Sequence, residues 1–509
     1  MNGFQITPAF MKKSGSQFKL FKTPAIASSA VLAFGFGAYA QSSAPPSDPV
    51  VDALIQKGIL SQSEAAKIEA EIAARQSNSV NQAAMPASKW KIADTIKSVQ
   101  LFGDVRFRYE YRGADNVEGA SPSTFYRERF RYAFRVGIRG DLFDDFNYGI
   151  RLETSTNPRS PWSTFGNNTT GGAVTPSDKA QSGIGVGQLY LGWHPTPWYE
   201  MTVGRMPMPL YVTPMVWDSD INPEGAFEKF KYKEGDVDLY ADFGQFDYQD
   251  PGSATQVPSS DTFILAWQAG AAAKINSTLS IKAAPVVYTY TGHGTSGGLN
   301  LNYTGEGNGS GGNPNFGGGA AFNQNGINDL LVLEIPAEFN FALPHTFLGD
   351  LQARLFGDFA YNLDGDKRAE AAATTAGLPH AYKSDVKAYQ VGFGIGSAGP
   401  VYGPTQGLVY GSTSKKNTWE WRTYWQHIEQ YSLDVNLIDS DFFEGRANLE
   451  GVYTSFAYSF TDAIIGTLRY GHADRINNNL GTGGNNLDMP GLNPIRNYNL
   501  VQMDLTWRF

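Results

Sequence analysis

Apolar and polar positions alternate with a period of two along most of this chain, and Tyr126–Gly140 shows it most fully. One alternate set is Arg127, Arg129, Arg131, Ala133, Arg135, Gly137 and Arg139. The other is Glu128, Phe130, Tyr132, Phe134, Val136 and Ile138. The pattern predicts a strand with two unlike faces. A half-buried strand with its arginines in water would alternate in the same way. The length argues otherwise, because soluble strands usually run about 3–10 residues. Five arginines on one face also need abundant water or acidic partners. A transmembrane barrel strand meets both demands, with apolar residues toward lipid and charged ones toward a wet lumen.

The same alternation recurs to the C-terminus. Leu101–Arg112 sets Val105, Phe107, Tyr109 and Tyr111 against Asp104, Arg106, Arg108 and Glu110. Phe146–Ser155 sets Tyr148, Ile150 and Leu152 against Gly149, Arg151 and Glu153. Further strands are expected at Gly185–His194, Tyr199–Met206, Ala226–Lys233, Val237–Phe246, Thr262–Ala273 and Leu279–Tyr290. Others are expected at Asp329–Phe341, Leu351–Asn362, Val386–Gly396, Thr418–Glu429, Leu449–Thr461, Ile464–His472 and Tyr498–Phe509. The count is about sixteen, an even number as bacterial barrels require. The last strand places Val501, Met503, Leu505, Trp507 and Phe509 on one face. A terminal Phe with apolar alternates resembles the signal read by the barrel-assembly machinery, so Leu505, Trp507 and Phe509 are expected to serve assembly.

The connections sort by parity. Asp141–Asp145, Pro195–Trp198, Glu234–Asp236, Lys274–Thr278, Leu343–Gly349 and Thr461–Ala463 are short. Pro158–Gly183, Pro207–Gly225, Thr291–Ile327, Asp364–Ser384, Gln430–Arg446 and Ala473–Arg496 are long. Short turns at one mouth and long loops at the other is the outer-membrane plan. Ser397–Asn417 breaks the rule, as an inserted excursion or an unrecognised strand.

Before the strands the pattern differs. Lys12, Lys13, Lys19 and Lys22 precede the small, apolar Pro24–Ala38, and Ala38-Tyr39-Ala40 fits a signal-peptide cleavage site. Met11 is an alternative start. The expected organisation is a signal peptide over 1–40, a linker with a short periplasmic helical hairpin over 41–88, and a barrel over 89–509. Asp48 with Pro49, and Ser61-Gln62-Ser63-Glu64, fit helix starts for that hairpin.

Composition adds limits. No cysteine is present among 509 residues, so neither disulfides nor thiolate metal sites hold the fold. Removing the four lysines of the signal leaves 36 basic against 49 acidic side chains, net −13, which argues against a nucleic-acid partner. Three chemical signals fail on inspection. Asp218-x-Asp220-x-Asn222 resembles the start of a calcium loop, but Pro223 and Lys229 stand where Gly and Glu are needed. Gly294-Thr295-Ser296-Gly297-Gly298 lies in a Gly-rich loop without a strand-to-helix elbow. The six histidines show no paired ligand spacing. No catalytic residue, metal or cofactor is expected.

Two loops share a pattern: Trp217-Asp218-Ser219-Asp220-Ile221-Asn222-Pro223-Glu224-Gly225, and Asp439-Ser440-Asp441-Phe442-Phe443-Glu444-Gly445 followed by Asn448-Leu449-Glu450-Gly451. With the helical stretch Asp52–Arg75, these resemble the bacterial putative porin family over essentially the whole mature chain. The extra length around Ser397–Thr413 departs from it. The resemblance implies a sixteen-stranded outer-membrane channel preceded by a periplasmic helical segment, and it supplies no substrate. Its expected surroundings are outer-membrane lipid, the assembly machinery and small hydrophilic solutes or ions, with a homotrimer left open. By strand order Pro207–Gly225 is the third external loop, which in general porins folds into the lumen. Asp218, Asp220 and Glu224 would then face a wall of Arg106, Arg108, Arg127, Arg129, Arg131, Arg135, Arg139 and Arg151. A loop that stays outside, with solvated acids, is the alternative. So is a purely structural role for the arginines, paired with Glu110 and Glu153. The expected function is passive diffusion through a water-filled pore. A substrate-selective channel for anions or sugars and a surface-adhesion barrel are the rivals.

Overall fold

The computed structural model describes residues 61, 63, 67, 93–116, 124–143, 145–155, 160–166, 183–249, 262–292, 327–376, 379–397, 415–482 and 494–509. The chain divides into Met1–Lys91 and Ile92–Phe509. In the first unit Ser63 and Lys67, one helical turn apart, are helical. The signal peptide, both linkers, most of the expected hairpin and 398–414 of the anomalous connection lie outside the described residues.

The second unit is a closed antiparallel barrel of sixteen strands. In chain order they are β1 (Gln100–Asn116), β2 (Thr124–Asp141), β3 (Phe146–Thr154), β4 (Ile184–Thr196), β5 (Tyr199–Arg205), β6 (Glu224–Glu234), β7 (Val237–Gln249) and β8 (Thr262–Lys274). Then come β9 (Leu279–Ala283 with Val286–Gly292), β10 (Leu331–Glu334 with Ala337–Thr346), β11 (Gly349–Asn362) and β12 (Lys387–Gly396). The last are β13 (Trp419–Ile428), β14 (Leu449–Ser459), β15 (Ile464–Arg475) and β16 (Ile495–Arg508). β16 pairs with β1 from Asp104↔Arg508 to Asn116↔Ile495 and closes the ring.

Two strands are interrupted at the same level. Pro285 breaks β9 and Pro336 breaks its neighbour β10, since proline offers no donor to the ladder. The carbonyls are still used: Ala269 N donates to Pro285 O at 3.0 Å, and Ala284 N to Pro336 O at 3.1 Å. The break therefore costs donors and leaves the pairing order intact.

The two faces are as unlike as the alternation requires. Outward Phe130 is 63% exposed and Met503 53%, whereas inward Arg108 is 4% and Glu110 0%. At the short-turn end Trp193, Trp198, Tyr199 and Phe230 stack in one outward cluster with centroids 5.1–6.3 Å apart. This is the position of an interfacial aromatic girdle. Phe509 completes the seam: its N–H donates to Gly103 O at 3.1 Å, and Gly103 N–H donates to its carbonyl at 3.0 Å.

The long connection 364–384 contains an element that the strand pattern conceals, α1 (Gly365–Ala376). Its alanine-rich run favours helix. Ala369 and Ala372 pack with Val386, Tyr431 and Leu480, and buried Arg368 donates to Asn328 O at 2.7 Å.

Candidate functional site

The inward face of β1 and β2 is a charged wall whose register opposes Asp104 to Arg135, Arg108 to Arg131, Glu110 to Arg129 and Arg112 to Arg127. Like charges directly opposite cost free energy, so the arginines need carboxylates. Glu110 sits at the centre of the upper wall. It accepts from Arg112 Nε at 3.0 Å, Arg129 Nε at 2.6 Å and Gln502 Nε2 at 2.9 Å. Arg131 lies 3.5 Å from it. Arg108 bridges Asp504 at 2.8 Å and Asp441 at 2.9 Å. Asp504 also pairs with Arg469.

Trp162 covers this region. It comes from the connection between β3 and β4, whose Ser163 and Thr164 pair with Tyr132 and Arg131 of β2. Its ring centre lies 4.0 Å from the Arg108 guanidinium carbon and 5.7 Å from that of Arg131. Arg108 and Arg131 are buried under it, and Arg112 and Arg129 are buried in the same wall. The rung below is more open: Arg106 pairs with Asp104 at 2.8 Å, Arg135 with Asp104 at 2.7 Å, and Arg151 with Glu153 at 2.8 Å.

Two loops fold into the barrel against this wall. The first, 206–223, leaves β5 and returns to β6 at a pair of glycines, Gly204 (φ 119°) facing Gly225 (φ 139°). A Cβ there would come within 2.3 Å of Leu189 O or 2.1 Å of Gln245 O. The loop buries Met206, Leu210, Met215 and Val216 inside the barrel. Gln268 holds Tyr211 by accepting from its N–H and donating to its carbonyl, both at 2.8 Å. Thr213 donates to Asp358. The second loop, 429–448, buries Leu433, Val435, Phe442 and Phe443 in the same apolar cluster.

The loops interlock through their two Asp-Ser-Asp turns. Asp218 N donates to Leu437 O at 2.6 Å, Ser440 N to Asp218 Oδ2 at 3.0 Å, and Asp439 N to Pro214 O at 3.0 Å. In each turn the first aspartate closes the turn by accepting from the backbone N–H of the second, at 2.9 Å for Asp218 and 3.1 Å for Asp439. The second aspartate faces the wall. Asp220 stands 3.6 Å from Arg135, and Asp441 lies 2.9 Å from Arg108 and 3.4 Å from Arg112. The two loop motifs thus do the same two jobs.

Burial raises Asp220 above the ordinary carboxylate range, with Arg135 pulling the other way. Burial and the neighbouring Asp441 charge push Asp439 up to about 6. For Asp441, burial is outweighed by Arg108 and Arg112, which hold it below the ordinary range.

Of the residues singled out from sequence, Arg106, Arg108, Arg127, Arg129, Arg131, Arg135 and Arg151 lie on the inward face, and Asp220 joins them. Asp218 is turned into the loop–loop contact. Glu224 opens β6, half-exposed, and pairs with Arg205 at 2.9 Å, away from the arginine wall. Arg139 sits toward the short-turn end, over the Phe102 ring at 4.9 Å. Sequence reasoning missed Asp441, Asp104, Asp504 and Trp162 as members of the site. The repeated Asp-Ser-Asp was the available signal for Asp441.

Residues 120–338 match the model of a family described as putative porin. Among solved structures, the chain is similar to the high-pH structure of Pseudomonas putida OprB (TM-score 0.43, 11% identity, 80% of this chain and 94% of that one). It is similar to an anion-selective porin from Comamonas acidovorans (TM-score 0.39, 11% identity, 81% and 99%). It is also similar to a mutant of the Rh. blastica porin (TM-score 0.37, 10% identity, 81% and 100%). No curated protein matches the chain.

Proposed function

We propose that this chain, whose residues 120–338 match a family model described as putative porin, is an outer-membrane porin for passive diffusion of small hydrophilic solutes and ions. The observation that carries this reading is the meeting of Asp220 and Asp441 with the arginine wall inside a closed sixteen-strand barrel. About sixteen strands leave a lumen too wide for wall side chains alone to fill. Two inward loops narrow it, and carboxylates opposite guanidiniums set up a transverse field that orients solutes. The solute gradient drives transport and no reaction is catalysed.

The proposal includes the chain's route and surroundings. Residues 1–40 direct export to the periplasm, 41–88 form a periplasmic segment, and 89–509 insert into outer-membrane lipid with Leu505, Trp507 and Phe509 as the assembly signal. A homotrimer remains compatible with this arrangement. The wall also favours one refinement, a preference for anions. Among the described residues, the ion pairs of this wall join Arg106, Arg108, Arg112, Arg129, Arg131, Arg135, Arg151 and Arg469 to Asp104, Glu110, Glu153, Asp220, Asp441 and Asp504.

Liposome swelling with neutral sugars of increasing size tests the reading. Uptake that falls steadily with sugar size is expected. No uptake of the smallest sugar by vesicles that contain the folded, heat-modifiable barrel would refute it.

A further inference from the structure

At the short-turn rim of β6, β7 and β9, away from the arginine wall, a cavity of about 760 Å³ opens between lumenal and outward side chains. Lys229, Lys231, Lys233, Tyr240 and Lys282 line it together with the carboxylates Glu200 and Asp238. The alternation that sends Phe230 and Tyr232 outward sends Lys229 and Lys231 inward, beside buried Phe227. Tyr240 is held inward over Gly270, where a Cβ would collide with its ring at 1.9 Å. The inward loop completes the arrangement: Lys282 Nζ lies 3.6 Å from the ring centre of Tyr211, the residue whose backbone Gln268 grips. Lys229 Nζ lies 4.4 Å from the centre of the Tyr240 ring.

The charges there are not fully matched. Lys231 pairs with Glu200, Lys229 stands 3.6 Å from Asp242, and Glu338 pairs with Arg354. Lys282 faces Glu338 in register, but that carboxylate is taken by Arg354. Among the described residues Lys282 has no ion pair, and the buried Tyr240 hydroxyl has no hydrogen-bond partner. Asp242, Glu200 and Asp238 offset Lys229, Lys231 and Lys233, which leaves Lys282, on the Tyr211 ring, as the lysine of this cavity with no carboxylate at ion-pair distance among the described residues, near the unpartnered Tyr240 hydroxyl. Donors held in this way bind anions by charge-assisted hydrogen bonds.

We propose that this pocket is an anion-binding subsite of the pore wall that takes a small dianion, with inorganic phosphate as its probe. It rests on the porin reading for its role in transport, but not for binding itself. Lys282 supplies the unmatched charge, Tyr240 a neutral donor, and Tyr211 ties the subsite to the inward loop. A dianion entering from the short-turn side would meet it before the loop constriction.

Titration calorimetry of phosphate into the full folded chain in detergent tests binding, and phosphate block of single-channel current tests its place in the pore. Lys282→Gln should weaken both by about tenfold, the usual scale for one charged hydrogen bond. Tyr240→Phe, a milder change that keeps the ring over Gly270, should weaken both by about threefold. Equal phosphate affinity in wild type and both variants would overturn the proposal. So would loss of block in Arg106→Gln alone, which would place the anion at the arginine wall. Phosphate binding without any channel current would count against the porin reading and leave the subsite standing. Current with no phosphate binding would refute the subsite alone.

Discussion

Replacing Asp220 by Asn removes one lumenal charge while leaving Arg135 with a second partner, Asp104 at 2.7 Å. The fold should therefore survive. The size of the effect follows from Coulomb's law. A unit charge about 7 Å from a permeating ion in a water-filled lumen is worth about 0.6 kcal/mol. Its loss lowers the local cation population about threefold and raises that of the anion by the same factor. The anion-to-cation permeability ratio should then rise by just under tenfold, limited by an ideal reversal potential of about 59 mV per tenfold gradient. The assay is the reversal potential across a planar bilayer at about 10 mM salt, where the Debye length of about 30 Å leaves the charge unscreened. At about 1 M salt the shift should vanish. pH supplies an internal check. Burial lifts Asp220 above the ordinary range and Asp439 to about 6, so acidification through about 6 neutralises Asp439, and Asp220 takes up its proton at a higher pH than an ordinary aspartate, while the arginines stay charged. Wild type should become more anion-selective as pH falls, and Asp220→Asn should change less. A correctly folded Asp220→Asn channel with wild-type reversal potential at low salt would show that this carboxylate does not face the permeation path.

Three further perturbations separate structural from conducting roles. Asp218→Ala removes the acceptor of the Ser440 and Asp220 N–H groups; it should raise single-channel conductance with little change in selectivity, and unchanged conductance would show that the loops do not need this lock. Deleting Phe509 removes two backbone hydrogen bonds at the seam with Gly103 and the terminal apolar ring; the folded, heat-modifiable fraction in outer membranes should fall, and a normal yield would count against its assembly role. Trp162→Ala leaves the Arg108 guanidinium without the ring it stacks on; a loss of about 3–5 kcal/mol is expected for a buried tryptophan, read as a lower temperature of unfolding on gels, and an unchanged midpoint would mean that the stack contributes little.

The architecture was legible because the facing of a barrel strand is a local property. Tyr126–Gly140 sends its arginines inward since the reverse would cost roughly 2–4 kcal/mol for each arginine at the bilayer midplane. Loop parity then gave the two mouths. The breaks in β9 and β10 are hidden in the sequence, because the apolar alternation runs through Pro285 and Pro336 without a shift of face. Helix α1 is not legible in the alternation, because strand spacing says nothing about what a long connection contains.

The site was half legible for a different reason. Asp220 could be placed by its loop, but which of three nearby acids points at the wall depends on turn geometry. Asp218 closes the turn and meets Ser440 of a loop more than two hundred residues away. Glu224 falls at the start of β6, where it pairs with Arg205. Asp441 carried the same Asp-Ser-Asp signal, yet its role appears only when both loops are seen to enter one lumen. Arg108 and Arg131 also read as pore-lining by alternation, and nothing local to β1 or β2 announces that Trp162 will cover them.

Single-channel recording of the reconstituted full-length chain tests the central claim most directly. The account predicts discrete, reproducible conductance steps at neutral pH, with selectivity that moves toward anions in Asp220→Asn and toward cations in Arg135→Gln. A barrel shown to be folded and membrane-inserted that gives no conductance steps would contradict it.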